Sequence, residues 1–541
     1  MKKFEHTPNF AKSRWDALTT KMGDLLEGCR EFADLTIPHV LPPDDVTGAH
    51  QLVKAPLNSI TARGISSLAN KLLLILLPPN ASFFKLNVDE QTLVDMGVNP
   101  AEIKTMMADI NLQLSRVESE SMRIIESSTL RKRFYDALVL SIITGNALLH
   151  ADVNSNGSRV FSLLNYRLNR DYNGQIREIV VSEQVEINSL GEDVRKQISE
   201  ESTINNDDKF TEMLTYIYLG EDGAHHQFQE IKGVKIKGTD AKYPKGKSPW
   251  IPIRWSQRNN SDYGVGLIEV YIGSVRELEG YHKSSRDFIS TTTDIKFGIK
   301  QGSALTPRKL AALKSGEVIA NADMSDVTEL KISRNGELQI IEKMMNTLKQ
   351  ELAQVFLLSS GNVRNAERVT AQEIRMLADE IDQQLGATYS LLSVEVQTSL
   401  VNVILSQTPS FSQLSDDVSF SITTGISAIG RNHDLTKLDE FVQRIAQTSP
   451  EAINYTEYAK RVGSSLGINI DNLLKTPEQL QQEQMQQQGM SRMGAMGVSP
   501  DMMKQASDMV KTSGGDINKM AQQAGIDPAM IEQMTAQFQQ Q

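Results

Sequence analysis

Residues 367–397 read ERVTAQEIRMLADEIDQQLGATYSLLSVEVQ. Thr370-Ala371-Gln372-Glu373 has the form of a capping box: the threonine oxygen accepts from an early helical amide, and the glutamate reaches back to the cap's own N–H. An apolar stripe follows through Ile374, Leu377, Ile381, Leu385, Thr388, Leu392, Val396 and Leu400. The helical period continues to about Ser406, which makes a helix roughly 55 Å long at 1.5 Å per residue.

Upstream of the cap, Ser359 to Val369 is polar and carries Gly361, Asn362 and Asn365, so it reads as a loop. Before it, Leu338 to Leu358 is helical. Residues 293–337 read as a compact αβ insert. Its parts are a strand (Asp294–Lys300), a short helix opened by Thr306-Pro307 and Arg308, and two further strands (Glu317–Ala320 and Val327–Ile332). Gly266 to Ser290 is a second long helix, about 38 Å, with Ile268, Tyr271, Ile272, Val275, Leu278, Tyr281 and Phe288 as its apolar positions. Pro307 is the one proline between Pro252 and Pro409, so nothing breaks either long helix. The order is helix, αβ insert, helix, polar loop, capped long helix.

The N-terminal half is α+β. Helical spacing runs from Lys12 to Leu35 through Trp15, Leu18, Met22, Leu25, Cys29 and Phe32, and stops before Pro38. Ser59 to Leu77 places Ile60, Gly64, Leu68, Lys71 and Ile75 on one side. Ala101–Ser128 and Thr129–Leu149 continue the helical pattern. Short β-type runs then appear at Arg159–Leu164, Arg167–Asp171 and Gln175–Val181, with Asn173-Gly174 as a hairpin signal. Further runs lie at Thr215–Leu219, Gln227–Ile231, Val234–Ile236 and Trp250–Trp255. Together they predict one small antiparallel sheet between about 159 and 255. Two shorter helices are expected from 431 to 475. After Thr476 the composition turns to Gln, Met, Gly and Ser and takes about half of the 21 methionines. Such a segment builds little core alone.

Composition removes several functions. The 541 residues carry a net charge of −11 and one cysteine. One thiol excludes an internal disulfide framework and any zinc site that needs two thiolates. The acidic balance argues against tight nonspecific DNA clamping, which needs a basic face. The longest apolar run, Leu72–Leu77, ends at Pro78-Pro79 and is too short for a bilayer. MKKFEHTPNFAKSRW lacks the apolar core of a signal peptide. No phosphate loop, HExxH, GxSxG or CxxC pattern occurs. His225-His226 are neighbours that point apart on a strand. Cys29 lies on an apolar helix face with no cationic partner placed by sequence. Paired aspartates such as Asp44-Asp45 and Asp416-Asp417 read as solvated loops. No enzyme, metal or cofactor is expected.

Several collinear segments resemble the head-to-tail connector (portal) family of short-tailed phages. They are CREFADLTIP (29–38), ARGISSLANKLLLILLPP (62–79), FYDALVLSIITGNALLH (134–150), YPKGKSPWIPIRW (243–255), YGVGLIEVYIGSVRELE (263–279), residues 367–397 and TGISAIGRNHDLTKL (424–438). The resemblance spans about 30–475 and implies a mainly helical α+β portal fold assembled as a ring. A wing (1–265) would lead to a first stem helix (266–292), an αβ clip (293–337) and a second stem helix (338–358). A channel loop (359–369), a long wing helix with its return (370–430), crown helices (431–480) and a Gln/Met-rich tail (481–541) would follow. It further implies a homo-oligomer of about twelve copies and double-stranded DNA in transit. The implied partners are the terminase large subunit, a tail adaptor, capsid and scaffolding proteins and internal core or ejection proteins. The setting would be the virion, and host cytoplasm during assembly, with no membrane. Another virion structural protein, or a hydrolase with an unrecognised site, are the alternatives.

On this reading Arg364, Asn365 and Arg368 face the channel, with Arg368 alternatively paired to Glu367, Glu373 or a neighbour's carboxylate. Thr370 and Glu373 cap the helix after the loop. Arg276, Lys283 and Arg286 share a helical face at spacings of seven and three, for the channel or for ion pairs with an adjacent subunit. Arg308 and Lys309 at the insert's helix would dock the motor or tail.

Overall fold

The computed structural model describes residues 7–42, 53–79, 82–88, 100–153, 157–201, 209–293, 297–303, 306–312, 314, 323–329, 335–358, 371–411, 420–424 and 431–448, with single positions at 455, 458, 459 and 462. The chain divides into two compact units, Met1–Gln447 and Thr448–Gln541; the architecture below is that of the first. It is mixed helix and strand. The expected tail, the channel loop, Thr370 and the strand Glu317–Ala320 lie outside the described residues.

The core is built on the helix Ile60–Leu76. Its inward residues Ile65, Leu68, Leu72 and Ile75 pack with Phe134, Leu138 and Ile142 of the helix Leu130–Thr144, and all seven are at most 1% exposed. Each such side chain contributes about 1.5–3 kcal/mol by leaving water. The helix Pro100–Ser127 precedes this pair.

The expected single helix over 12–35 is two, Phe10–Met22 and Leu25–Asp34. Gly23 separates them at φ 57°, ψ −139°, a conformation open to a residue without a Cβ. The expected helix over 129–149 ends at Thr144, because Gly145 turns left-handed. Asn146–His150 is instead a strand, pairing antiparallel with Trp250–Arg254 and with Arg159–Phe161.

The one expected sheet is therefore two. The three-stranded sheet just described is separate from a larger antiparallel one. That sheet runs Tyr166–Arg170, Ile176–Glu186, Phe210–Leu219, His225–Ile231 and Val234–Lys235, with Ala241–Tyr243 also pairing to His225–Ile231. The Asn173-Gly174 hairpin is present, with Gly174 at φ 81°. Two elements escape a local reading: the helix Glu192–Glu201, and a strand Phe84–Val88 that pairs with Phe420–Thr424.

From residue 267 the described elements follow as helix, strand–helix–strand insert, helix and long helix, with the expected polar loop outside the described residues. Leu267–Thr293 is one helix with a non-helical residue at Tyr271. In the insert, Phe297–Ile299 pairs with Val327–Glu329 and Pro307–Ala312 is a short helix. Asn335–Val355 is helical and packs against Leu267–Thr293. The long helix starts at Ala371. It runs as Ala371–Leu391, a π-helical turn Leu392–Gln397 and Thr398–Gln407. Leu385 leaves helical geometry at φ −128°, ψ 24°. The stripe accordingly shifts by one position there: Tyr389 is buried where Thr388 was expected. Arg431–Thr448 is the last helix described. Among the described residues no helix is long and apolar enough to cross a membrane.

Candidate functional site: the two arms and their joints

The helices 267–293 and 335–355 form two arms on either side of the αβ insert. Val275 and Leu278 of the first and Leu348 and Leu352 of the second are buried. Other apolar residues of the arms stay in water: Val270 is 65% and Ile340 64% exposed, with Ile289 and Met344 also exposed. Three joints and an ion-pair cluster hold the arms and the long helix to the body.

The first joint sets where the first arm starts. Gly145 (φ 77°) lies against the backbone of Gly264 to Gly266. A Cβ on Gly145 would stand 2.5 Å from the Gly266 nitrogen, and one on Gly266 would stand 2.7 Å from the Gly145 nitrogen and the Ile143 carbonyl. The Asn146 side chain locks the contact. Its Oδ1 accepts from the Gly264 N–H at 2.7 Å, while Nδ2 donates to the carbonyls of Thr144 and Gly264. The Trp255 N–H donates to the Gly145 carbonyl at 3.0 Å.

The second joint braces the first arm along its length. Glu279 accepts the backbone N–H groups of Leu57 and Asn58 at 2.8 and 3.0 Å, just ahead of the helix Ile60–Leu76. Arg276 forks onto both oxygens of Glu31 at 2.6 Å, which holds that carboxyl below its usual range through the hydrogen bond. Both side chains are about half exposed.

The third joint receives the second arm. After Val355 the chain turns, with Leu357 at φ 56°. Phe356 is fully buried against Gly64, where a Cβ would meet the ring at 2.5 Å. Lys71, a residue 2% exposed, donates from its ammonium to the Leu357 carbonyl at 2.6 Å. The long helix docks on the same element: Gln397 Nε2 donates to the Leu76 carbonyl at 2.9 Å.

A cluster of charges ties the long helix to the sheet. Arg254, 5% exposed, forks onto Glu395 of the π-helical turn, with Nε at 3.3 Å from Oε2 and Nη2 closer to Oε1. Arg170 lies beside it, donating to Asp262 and to the Gly174 carbonyl. Burial pushes the Arg170 guanidinium down to about 10, and neighbouring Arg254 adds to that shift.

The sequence-predicted residues fall as follows. Arg276 is paired within its own chain. Lys283 is exposed, and Arg286 lies beside Asp287 at 3.3 Å. Arg308 and Lys309 are exposed on the short insert helix. Arg364, Asn365, Arg368 and Thr370 lie outside the described residues; Glu373 is in the helix from Ala371, its side chain outside the description. Among the described residues, no contact joins Arg276, Lys283, Arg286, Arg308 and Lys309 to one another. Sequence reasoning missed Glu279, Arg254, Glu395 and Gln397, and gave Gly64 and Lys71 no role. A lysine inside an apolar stripe is the signal that points to it.

Cys29 is fully buried, its thiol 3.7 Å from the Thr144 carbonyl. Burial pushes the thiol up to about 12, with Glu269 adding and Arg258 opposing. Only the thiolate reacts with alkylating reagents. Iodoacetamide at pH 8 is therefore expected to leave the native protein unlabelled and to label it once unfolded; rapid native labelling would contradict this packing. Among the described residues no group of three His, Cys, Asp or Glu could hold a metal.

The pattern of the family described as bacteriophage head to tail connecting protein matches residues 9–474. The portal protein of Escherichia phage T7 is 30% identical over 532 residues, 95% of this chain and 98% of that protein. The portal protein of Enterobacteria phage T3 is 30% identical over 502 residues, 90% of this chain and 92% of that one. A solved chain from the virion of a native gene transfer agent particle covers 76% of this chain and 90% of its own at 11% identity, with a TM-score of 0.35. The family match spans residues 9–474, well over half of the chain, so this chain belongs to the bacteriophage head to tail connecting protein family.

Proposed function

We propose that this head-to-tail connecting protein works as a portal: a closed ring, about twelve copies, through which double-stranded DNA enters the capsid and later leaves. The observation that carries the reading is the end-to-end similarity to phage portal proteins, which takes in both arms and the long helix. Exposed Val270, Ile289, Ile340 and Met344 support it. A single chain leaves these apolar positions in water, and a second copy in a heterologous, closing interface would cover them.

In this reading residues 1–265 form the wing, the arms are the stem, 293–337 the clip, 359–369 the channel loop, 431–480 the crown, and 481–541 the tail. Arg364, Asn365 and Arg368 present the loop to the phosphate backbone, while Thr370 and Glu373 cap the helix behind it. Lys283 and Arg286 meet carboxylates of the adjacent stem. Exposed Arg308 and Lys309 of the clip dock the terminase motor and later the tail adaptor. Capsid, scaffolding and internal core proteins surround the wing and crown. The ring hydrolyses no ATP itself. An acidic subunit suits a conduit: beyond a Debye length of about 8 Å the bulk charge is screened, so a few arginines set the local grip on DNA.

Negative-stain images of purified protein are expected to show rings with a central hole; monomers under all conditions would overturn the reading. Arg364→Ala is expected to lower the DNA packaged or retained per particle, and unchanged packaging and retention would remove Arg364 from the channel.

A further inference from the structure

We infer that His150 is a proton switch in the seam between the two sheets: neutral, it lets the seam close, and protonated beside Arg159 it loosens it. The switch goes beyond the portal reading, which gives none of the seam residues a part.

A cross-strand row fixes the geometry. In the three-stranded sheet Trp250 stands opposite His150, and His150 opposite Arg159, so the three side chains share one face. The His150 and Trp250 rings lie 4.3 Å apart between centroids. Phe161, on the same face, is 5.8 Å from Trp250, and the Arg159 guanidinium lies over the Phe161 ring at 5.3 Å. Two bridges run from this row to the larger sheet. Arg159 donates to Glu183 of the strand Ile176–Glu186 at 2.6 Å. The Trp250 indole N–H donates to Gln227 of the strand His225–Ile231 at 2.7 Å, and the Tyr243 hydroxyl donates to the same oxygen at 3.3 Å. His150 therefore stands between the two residues from which the seam is made.

The closed seam suits a neutral imidazole and penalises an imidazolium. His150 is half-buried, and among the described residues its Nδ1 is buried with no hydrogen-bond partner. The charge opposite it is the Arg159 guanidinium, of like sign. Burial first, and Arg159 second, push the imidazole down to about 4, with Asp152 two residues along opposing them. In water an imidazole holds its proton up to about pH 6.5. An opened seam thus takes up, between pH 6.5 and 4, a proton that the closed seam refuses. The closed form keeps its full stability above that window and loses it as pH falls through the window. Glu183 works the other way, because burial raises its carboxyl against the pull of Arg159. Tyr243, raised by burial and by Asp152, stays neutral throughout.

Hydrogen–deuterium exchange of the full chain, corrected for the intrinsic pH dependence of amide exchange, tests the switch. Amides of Asn146–His150, Arg159–Phe161 and Trp250–Arg254 are compared with those of the core helix Leu130–Thr144. Relative to that helix they are expected to exchange about tenfold faster, or more, at pH 4.5 than at pH 7. His150→Phe can stack on Trp250 and takes up no proton, so it is expected to hold the ratio level while carboxylates elsewhere still titrate. His150→Gln serves the same comparison if the phenylalanine variant fails to fold. The part of the tryptophan emission that Trp250→Phe removes should dim over the same window in the wild type, where an imidazolium forms against the indole, and in neither His150 variant. A wild-type exchange ratio that stays level would overturn the switch, even if the emission titrates. So would an undiminished acid response in either His150 variant, which would assign the loosening to Glu183 or to other carboxylates. Ring formation is not the readout, so either result leaves the portal reading as it stands.

Discussion

Gly145→Ala is expected to remove most soluble protein and to lower the melting temperature of what remains by far more than Gly223→Ala does. Two effects add. The left-handed conformation at φ 77° costs an L-residue about 1–2 kcal/mol. The new Cβ would then stand 2.5 Å from the Gly266 nitrogen and the Val265 carbonyl carbon, and 2.9 Å from the Gly264 carbonyl carbon. These are backbone atoms, so no side-chain rotation relieves the clash. Gly264 and Gly266 cannot retreat easily, because Asn146 holds Gly264 by two hydrogen bonds. Separating the strands would also break the Trp255–Gly145 bond. A loss beyond about 4 kcal/mol follows, large against the 5–15 kcal/mol of a typical fold. Gly223→Ala is the control. It shares the positive φ (75°) and meets nothing within 4 Å, so it should cost only the conformational part, about 1–2 kcal/mol. Equal melting temperatures for the two variants would show that the glycine contact is not what sets the first arm on the body.

The same joint shows what could be read from residues and what could not. Helix, insert, helix and capped helix are all visible from local period and capping, because each is decided by neighbours within a few turns. The strand Asn146–His150 is not. From Leu138 to Leu149 the chain is almost continuously apolar, and a buried strand on such a run has the same composition as a buried helix. Gly145-Asn146 marks the change, but only the contact with Gly264 to Gly266, more than a hundred residues away, makes a turn obligatory there. Trp250–Arg254 is buried at every position, so no alternation revealed that it leaves the larger sheet. Phe84–Val88 and Phe420–Thr424 define each other across most of the chain, and neither half has a period that announces it. Residues of the joints, such as Glu279, Arg254 and Gln397, find partners at separations of 141 to 321 positions. Their charge or amide is legible; the partner is not.

The ion-pair cluster yields the second large effect, and its asymmetry is the informative part. Glu395→Gln leaves Arg254, 5% exposed, without its carboxylate. It also leaves Arg254 beside half-buried Arg170, whose pKa it already helps depress. Asp262 cannot compensate. Its carboxylate is engaged by Lys21 at 2.7 Å and by the Arg170 backbone N–H at 2.8 Å. Removing one partner of a buried pair typically costs about 3–5 kcal/mol, and here a second guanidinium adds repulsion to desolvation. Arg254→Met should cost less. It removes one of two neighbouring cations, it leaves Glu395 with 29% of its side chain in water, and Arg170 still acts on Glu395 favourably. Arg254→Met combined with Glu395→Gln should recover part of the Glu395→Gln loss, since the stranded guanidinium is gone. Chemical unfolding of the three variants measures this order. A smaller loss for Glu395→Gln than for Arg254→Met would mean that the two arginines do not share the carboxylate, and that the π-helical turn is held by packing of Leu392, Val396 and Gln397 instead of by charge.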